Sequence, residues 1–229
     1  MEFQRLLLEI AAIKGQSEEE YVRRGCRVTH GRLPGGEEYY TVSEGEDAAV
    51  VRLLAGIVEK FLPKELKRVM VVGLGNRGMT ADALGNCVLS HMPAGGKDPH
   101  IGLIAPQVSL VTGVESADIV ESLSARLKPE LVVLTDTLAT SRCERLGRCY
   151  QVGNFALRPG SGVGGAKKIE PGARTISLGV PLVIKLSDLG VSGAGDLAVT
   201  PADIDEKVER CGKNIAKALT LALCGGQRE

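Results

Sequence analysis

The stretch Arg68–Gly75, RVMVVGLG, decides the fold class of this 229-residue chain. Its aliphatic and β-branched residues are typical of a strand that is buried on both faces, and its closing glycines are typical of a tight turn. The stretches HIGLIAP (residues 100–106) and LVVLTD (residues 131–136) repeat this pattern, and segments of helical periodicity lie between them. This alternation predicts an α/β fold of three layers, with a mostly parallel sheet and helices on both faces.

The part of the chain that precedes this alternation has a different pattern. Residues 1–66 indicate an N-terminal helix, a hairpin that turns at Pro34–Gly36, and a second helix that ends before Pro63. Because we find no internal repeat or low-complexity linker, we expect a single α/β domain over residues 1–229. In this prediction the N-terminal elements are appended to a core of residues 67–224.

Composition and charge argue against several classes of function. The 28 basic and 28 acidic residues cancel, and aromatic residues make up only 3% of the chain. We therefore expect no direct nucleic-acid partner, because neither a basic field nor a stacking platform is indicated. No apolar run is long enough to span a membrane, and the N-terminus is a poor signal peptide.

The cysteines and histidines predict neither a disulfide framework nor a metal centre. The six cysteines form no CxxC pair, which favours reduced thiols and a cytoplasmic protein. We interpret Cys143 and Cys149 as buried structural thiols, because no histidine lies near them in sequence. The three histidines show no ligand spacing among themselves, so we expect no metal and no cofactor.

A glycine-rich turn follows the first buried strand. Gly73–Gly78, GLGNRG, matches the GxGxxG pattern of dinucleotide-binding proteins and lies between a strand and a predicted helix. Asp98, however, precedes the second strand, whereas a ribose-binding acid belongs at the end of that strand. We therefore favour a tight strand-to-helix turn over nucleotide binding.

Two acids are predicted to meet at one edge of the sheet. Asp82 follows the glycine turn near the start of a helix, and Asp136 closes LVVLTD. The carboxyl ends of parallel strands share one edge, so these carboxylates can converge there. Two adjacent carboxylates can hold one proton between them, which suits the activation of water for peptide hydrolysis. Ordinary roles as a helix cap and a turn residue are the alternative for each acid.

A second glycine-rich segment, PGSGVGG, covers residues 159–165. Its backbone amides are suited to lining a concavity for an anion or an oxyanion, although a surface loop explains the composition equally well. We set aside a nucleophilic serine here, because no base lies nearby in sequence. The predicted substrate-binding or oxyanion loop residues are Gly75, Asn76, Gly160, Ser161, Gly162 and Gly164.

Several segments together resemble the germination protease family, the spore endopeptidases that degrade small acid-soluble spore proteins. The resemblance covers about residues 68–185, and the segments occur in the family's order. They are Val71–Asn76 with Thr80–Gly85 (similar to VVGLGN and TPDALG), Thr112–Glu115 (TGIE), Asp136–Ser141 (DALA-x-x-S), Pro159–Gly164 (PGSGVG) and Gly179–Pro181 (GVP).

This resemblance implies a function and a mechanism. It assigns the two essential acids to Asp82 and Asp136, and it implies a water-activating aspartic mechanism without a metal. It also implies a fold akin to that of the hydrogenase maturation proteases and a homotetramer formed from an inactive precursor. The expected substrates are small acid-soluble spore proteins, degraded during germination in the cytoplasm of the forespore or spore core.

Two departures from the family pattern keep alternatives open. Gly153–Leu157 replaces the family's SDTGI segment, and Lys185 stands where an acid is expected after GVP. One alternative is a non-catalytic relative that acts in binding or assembly. Another is a metal-dependent maturation protease on the same kind of fold.

Overall fold

The computed structural model describes residues 4–13, 18–97, 99–157, 167–193 and 197–225. In these ranges the strands are β1 (Glu18–Arg23), β2 (Cys26–Arg32), β3 (Glu38–Ser43), β4 (Arg68–Gly73), β5 (His100–Ile104), β6 (Leu131–Ala139), β7 (Cys149–Gly153), β8 (Arg174–Lys185) and β9 (Ala198–Val199). The α-helices are α1 (Leu7–Ile13), α2 (Asp47–Phe61), α3 (Leu84–Ser90), α4 (Ser109–Thr112), α5 (Ser116–Leu127) and α6 (Ile204–Cys224). A short 3-10 turn, Thr80–Asp82, precedes α3.

The strands form one sheet in the order β1-β2-β3-β7-β8-β6-β4-β5, and β9 pairs with β8 beside this path. Neighbouring strands are parallel from β8 through β6 and β4 to β5. They are antiparallel from β1 through β2, β3 and β7 to β8. The α/β prediction is confirmed, and the sheet is mixed. The parallel half contains the strands from which the fold class was predicted, and the hairpin β2–β3 continues the sheet through β7.

Helices cover both faces of the sheet, as predicted. In β4, Val69 and Val71 point into a core formed with α2, α3 and α6, whereas Met70 and Val72 point into a core formed with α1 and α5. This explains the continuous apolar run of β4, because a strand covered on both faces has no solvent side. In the described part of the chain, no helix combines the length and apolar character needed to cross a membrane.

The carboxyl ends of β4 and β6 are staggered, which leaves a gap beside β6. Strand β4 ends at Gly73, opposite Thr135, but β6 continues to Ala139 alongside β8. The strand is thus three residues longer than the sequence indicated, because β8 continues to pair with it. Beyond the gap, Arg5 forms a parallel bridge with Ala139. Asp136 lies between the end of β4 and this bridge.

The core of the sheet generates a prediction about stability. Leu134 of β6 is completely buried, so Leu134→Ala should lower the free energy of unfolding by about 2–5 kcal/mol, measured by urea denaturation. Leu110→Ala is the control, because Leu110 is 71% exposed. The control should change that free energy by less than about 0.5 kcal/mol. Similar losses in both variants would contradict the assignment of Leu134 to the core.

Candidate active site

Asp82 is positioned by the turn that follows β4. Gly75 has a φ of 94°. A Cβ atom on Gly75 would lie only 1.9 Å from the backbone oxygen of Asp82, so only glycine is accommodated here. The backbone N–H of Asn76 donates a hydrogen bond to Asp82 Oδ2 over 2.9 Å. The turn therefore orients this carboxylate.

The start of α3 is packed directly on β4 and β6. The backbone N–H of Leu74 donates to Thr135 O over 2.9 Å, which joins the two strands just beyond β4. A Cβ atom on Gly85 would lie 2.6 Å from that same carbonyl oxygen, so a larger residue would push α3 away. This contact brings the segment that precedes α3, including Asp82, next to the strand that carries Asp136.

Asp136 is a buried acid inside a continuous strand. Its residue exposure is only 8%, and it lies at the level where β4 has already ended. Asp136 Oδ1 accepts a hydrogen bond from the backbone N–H of Thr137 over 2.8 Å. In the part of the chain that the structure describes, this amide is its hydrogen-bond partner, and the side chain has little contact with water.

Burial raises the pKa of both acids, and the charge of Asp82 adds to this effect at Asp136. Burial raises the pKa of Asp82 to about 6, although the hydrogen bond from Asn76 acts in the opposite direction. Burial raises the pKa of Asp136 well above its ordinary value, and the charge of Asp82 raises it further. The structure thus brings the two carboxyl groups close enough for the charge of one to act on the other. Such a pair holds a proton into the neutral range.

Two amide side chains, which no sequence pattern indicated, join the turn to the neighbouring loop. Asn86 Nδ2 donates to Gly75 O over 3.4 Å, and Gln107 Nε2 donates to Asn86 Oδ1 over 3.2 Å. The backbone N–H of Arg77 donates to Gln107 Oε1 over 3.4 Å. Gln107 has a φ of 62°, which is uncommon for a residue other than glycine. These contacts hold the loop after β5 against the turn that carries Asp82.

The predicted loop residues have different outcomes. Gly75 lies in the turn after β4. The backbone N–H of Asn76 donates its hydrogen bond to Asp82, so in this structure the amide orients an acid. The remaining predicted loop residues lie outside the described part of the chain: Gly160, Ser161, Gly162 and Gly164.

The glycine turn is better explained as a structural turn than as a phosphate-binding loop. A phosphate group would need free backbone N–H groups at this position. The N–H of Asn76 is instead occupied by the negatively charged side chain of Asp82. Asp98, the candidate ribose-binding acid, lies outside the described residues.

The departure at Gly153–Leu157 is accommodated by packing. Phe155 and Leu157 are buried in the core shared with α1 and α5. Asn154 Oδ1 accepts a hydrogen bond of 2.6 Å from the first backbone N–H of β3. This segment therefore closes the end of the sheet. Lys185, the other departure, is the last residue of β8.

All six cysteines are unpaired in the structure. Cys149 is buried, as expected, and burial raises its pKa to about 12, so it stays a protonated thiol. The same expectation was wrong for Cys143, which is exposed. Cys143 lies in a short turn between β6 and β7, where its side chain has no core to enter.

The fold is that of an α/β protein with two neighbouring acids at the carboxyl ends of its parallel strands, the edge at which such proteins bind their ligands. Comparison with known proteins identifies the family to which this chain belongs. The model of the germination protease family matches residues 43–193, which is more than half of the chain and includes both acids. The chain belongs to the germination protease family and is accordingly a peptidase.

Individual proteins with sequences similar to this chain are also germination proteases. A germination protease of Clostridium perfringens is 29% identical over 81% of this chain and 75% of its own length. One from Caldanaerobacter subterraneus subsp. tengcongensis is 35% identical over 59% of this chain and 47% of its own length. Among solved structures, a nickel–iron hydrogenase maturation protease, HycI from Thermococcus kodakarensis, aligns with a TM-score of 0.45 at 20% identity, covering 72% of this chain and 99% of that one.

The raised pKa of Asp82 predicts how stability changes with pH. An acid whose pKa rises from about 3.9 in the unfolded chain binds its proton more tightly when folded. Its contribution to stability is complete below pH 4 and is lost as the pH rises towards 6. The free energy of unfolding of Asp82→Asn, minus that of wild type, should therefore increase between pH 4 and pH 7 in urea denaturation.

The control for this measurement is Glu65→Gln, which changes an exposed carboxylate between α2 and β4. This variant should follow wild type at every pH. A difference for Asp82→Asn that stays constant across the pH range would show that burial does not act on this acid.

The interaction of the two acids can be measured directly. In Asp82→Asn the pKa of Asp136, followed by carboxyl carbon NMR, should fall because the neighbouring charge is removed. It should stay above its ordinary value, because burial is the larger cause. Glu65→Gln should leave it unchanged. An unchanged pKa in Asp82→Asn would mean that the two acids do not interact.

Proposed function

We propose that this protein is an aspartic-type endopeptidase that degrades small acid-soluble spore proteins during germination, with Asp82 and Asp136 as its catalytic pair. The observation that carries the proposal is the packing of the segment with Asp82 against β6, next to the buried Asp136. Burial raises the pKa of Asp136, and the charge of Asp82 raises it further. Both acids lie inside the region that matches the family. The names of the relatives support the role in germination.

The environments of the two acids suggest different roles. Asp82 is half-buried, and its pKa of about 6 leaves it ionised at neutral pH, which suits a general base. Asp136 is buried more deeply, and both burial and the neighbouring charge favour its protonated form, which suits a general acid. In this assignment the repulsion between the acids keeps one proton available for donation.

The proposed reaction proceeds in two steps, each with two proton transfers. Water attacks the carbonyl carbon of the scissile peptide, Asp82 accepts a proton from that water, and Asp136 donates its proton to the carbonyl oxygen. The tetrahedral intermediate then collapses, the carbon–nitrogen bond breaks, and the proton held by Asp82 passes to the leaving amine. A hydroxyl proton of the intermediate returns to Asp136. This mechanism uses no metal, and the pair ends in its starting protonation state.

The family resemblance supplies further parts of the proposal. We carry over a homotetramer formed from an inactive precursor, acting in the cytoplasm of the forespore or spore core. The proposed partners are the protein substrates and the other subunits of the tetramer. The proposal includes neither direct nucleic-acid binding nor a membrane partner.

The catalytic assignment is tested by Asp82→Asn and Asp136→Asn, assayed for cleavage of a purified small acid-soluble spore protein. Asparagine keeps the shape of the side chain but removes the ionisable group. Each variant should lower kcat by roughly 10²–10⁴-fold, which is the usual contribution of general acid–base catalysis.

The matched control is Glu130→Gln. Glu130 directly precedes β6, at the opposite end of the strand from Asp136, and its carboxylate accepts a hydrogen bond from Arg68 N over 2.6 Å. This variant should retain kcat within about twofold, because its charge lies at the other edge of the sheet. Full activity of either asparagine variant would refute the catalytic pair. Binding of the substrate without cleavage by wild type would favour a non-catalytic relative, and loss of cleavage on chelation would favour a metal-dependent protease.

A further inference from the structure

A second cluster of reactive side chains, which does not include the paired acids, lies between α3 and α6. Cys87 is in α3, and His91 follows four residues later at the end of that helix, so both project towards the same neighbour. Glu209 of α6 faces them. One ligand atom from each of these three residues lies within 4.8 Å of the other two.

The Cys87 thiol donates a hydrogen bond to Glu209 Oε2 over 3.4 Å, and His91 Nε2 lies within hydrogen-bonding distance of Glu209 Oε1, at 3.1 Å. The first separation lies in the range expected between neighbouring ligands of a zinc ion, and the second is slightly shorter. Zinc bonds of about 2.0–2.3 Å in a tetrahedral arrangement place neighbouring ligand atoms about 3.3–3.8 Å apart. We propose that Cys87, His91 and Glu209 form a binding site for a divalent transition-metal ion of the zinc type.

The donor set defines which ions suit the site. A thiolate and an imidazole favour zinc, cobalt or nickel, whereas magnesium and calcium prefer oxygen ligands throughout. Binding requires that the Cys87 thiol releases its proton, after which the charges of the thiolate and the Glu209 carboxylate balance the two positive charges of the ion. Three protein ligands leave one of four tetrahedral positions open.

The surroundings of the cluster support a site with such an open position. Cys87 and Glu209 line a cleft of about 480 Å³, together with Arg77, Asn86 and Asp205. Water or a small ligand can therefore reach the open position. The ligands are carried by two helices that pack against each other in the core, which limits the movement needed to bind an ion.

Lys213 is a local competitor for the carboxylate. Its Nζ lies 2.8 Å from Glu209 Oε1, in a pair one helical turn apart on α6. A cation at this position opposes the binding of a second cation. Replacing Lys213 with an uncharged residue should therefore strengthen metal binding, a gain that an adventitious site elsewhere on the surface would not show.

The full-length protein, stripped of metal by chelation, is titrated with Co²⁺ and followed by absorption. Wild type should bind one equivalent and show both a thiolate-to-cobalt charge-transfer band and the d–d bands of tetrahedral cobalt. Cys87→Ser should abolish the charge-transfer band, whereas the control Cys143→Ser, at an exposed cysteine outside the cluster, should retain it. His91→Gln should weaken binding at least tenfold, and the control His100→Gln should leave it unchanged.

Lys213→Gln is expected to gain metal affinity, and a misfolded variant would not show such a gain. It should tighten Co²⁺ binding several-fold. Zn²⁺ should raise the Tm of wild type and leave that of Cys87→Ser unchanged. The proposal is overturned if wild type lacks the thiolate band, if Cys87→Ser keeps it, or if Lys213→Gln binds no more tightly. Cleavage of a small acid-soluble spore protein is measured separately, so the Co²⁺ titration tests the metal site and the cleavage assay tests the catalytic pair.

Discussion

The site depends on a repulsion that the fold maintains. Two carboxyl groups in a poorly solvated place cannot both carry charge at low cost. Burial raises the pKa of both Asp82 and Asp136, and the charge of Asp82 adds to the effect at Asp136. Within the described ranges, Asp82 accepts a hydrogen bond from the backbone N–H of Asn76, and Asp136 accepts one from that of Thr137. Those bonds orient the carboxylates without neutralising them. A cation beside either acid would lower its pKa, whereas burial raises the pKa of both.

The mixed sheet creates the place in which this repulsion is possible. At the level of Asp136, the neighbouring residue of β8 is Gly179, and the next residue across the sheet, in β7, is Gln151. Gln151 Oε1 accepts a hydrogen bond of 2.7 Å from the backbone N–H of Leu7, so a polar side chain in the same row anchors α1. On the side of β6 that faces away from β8, strand β4 ends before the level of Asp136, which leaves the gap there. The antiparallel half of the sheet thus holds α1 beside the edge at which the parallel half presents its acids.

The sequence predicted those features that depend on local pattern. The buried runs of β4 and β6 identified the sheet, and the rule for parallel strand ends brought Asp82 and Asp136 together. No pattern predicted β1, because this edge strand is mostly charged and exposed. Nor did one reveal Gln107, whose role depends on contacts with residues distant in the chain. The histidines were compared only with one another, so the four-residue spacing of Cys87 and His91 was overlooked, and Glu209 becomes their neighbour only through folding.

Helix α3 connects the two sites physically. It has only seven residues, too few for a helix to be stable by itself, so its position depends on what holds its two ends. Its first turn is held against β4 and β6 at Gly85, immediately after Asp82. Its last turn is held to α6 through the cluster of Cys87, His91 and Glu209. Helix α3 therefore lies between the turn that carries Asp82 and the cluster that contacts α6.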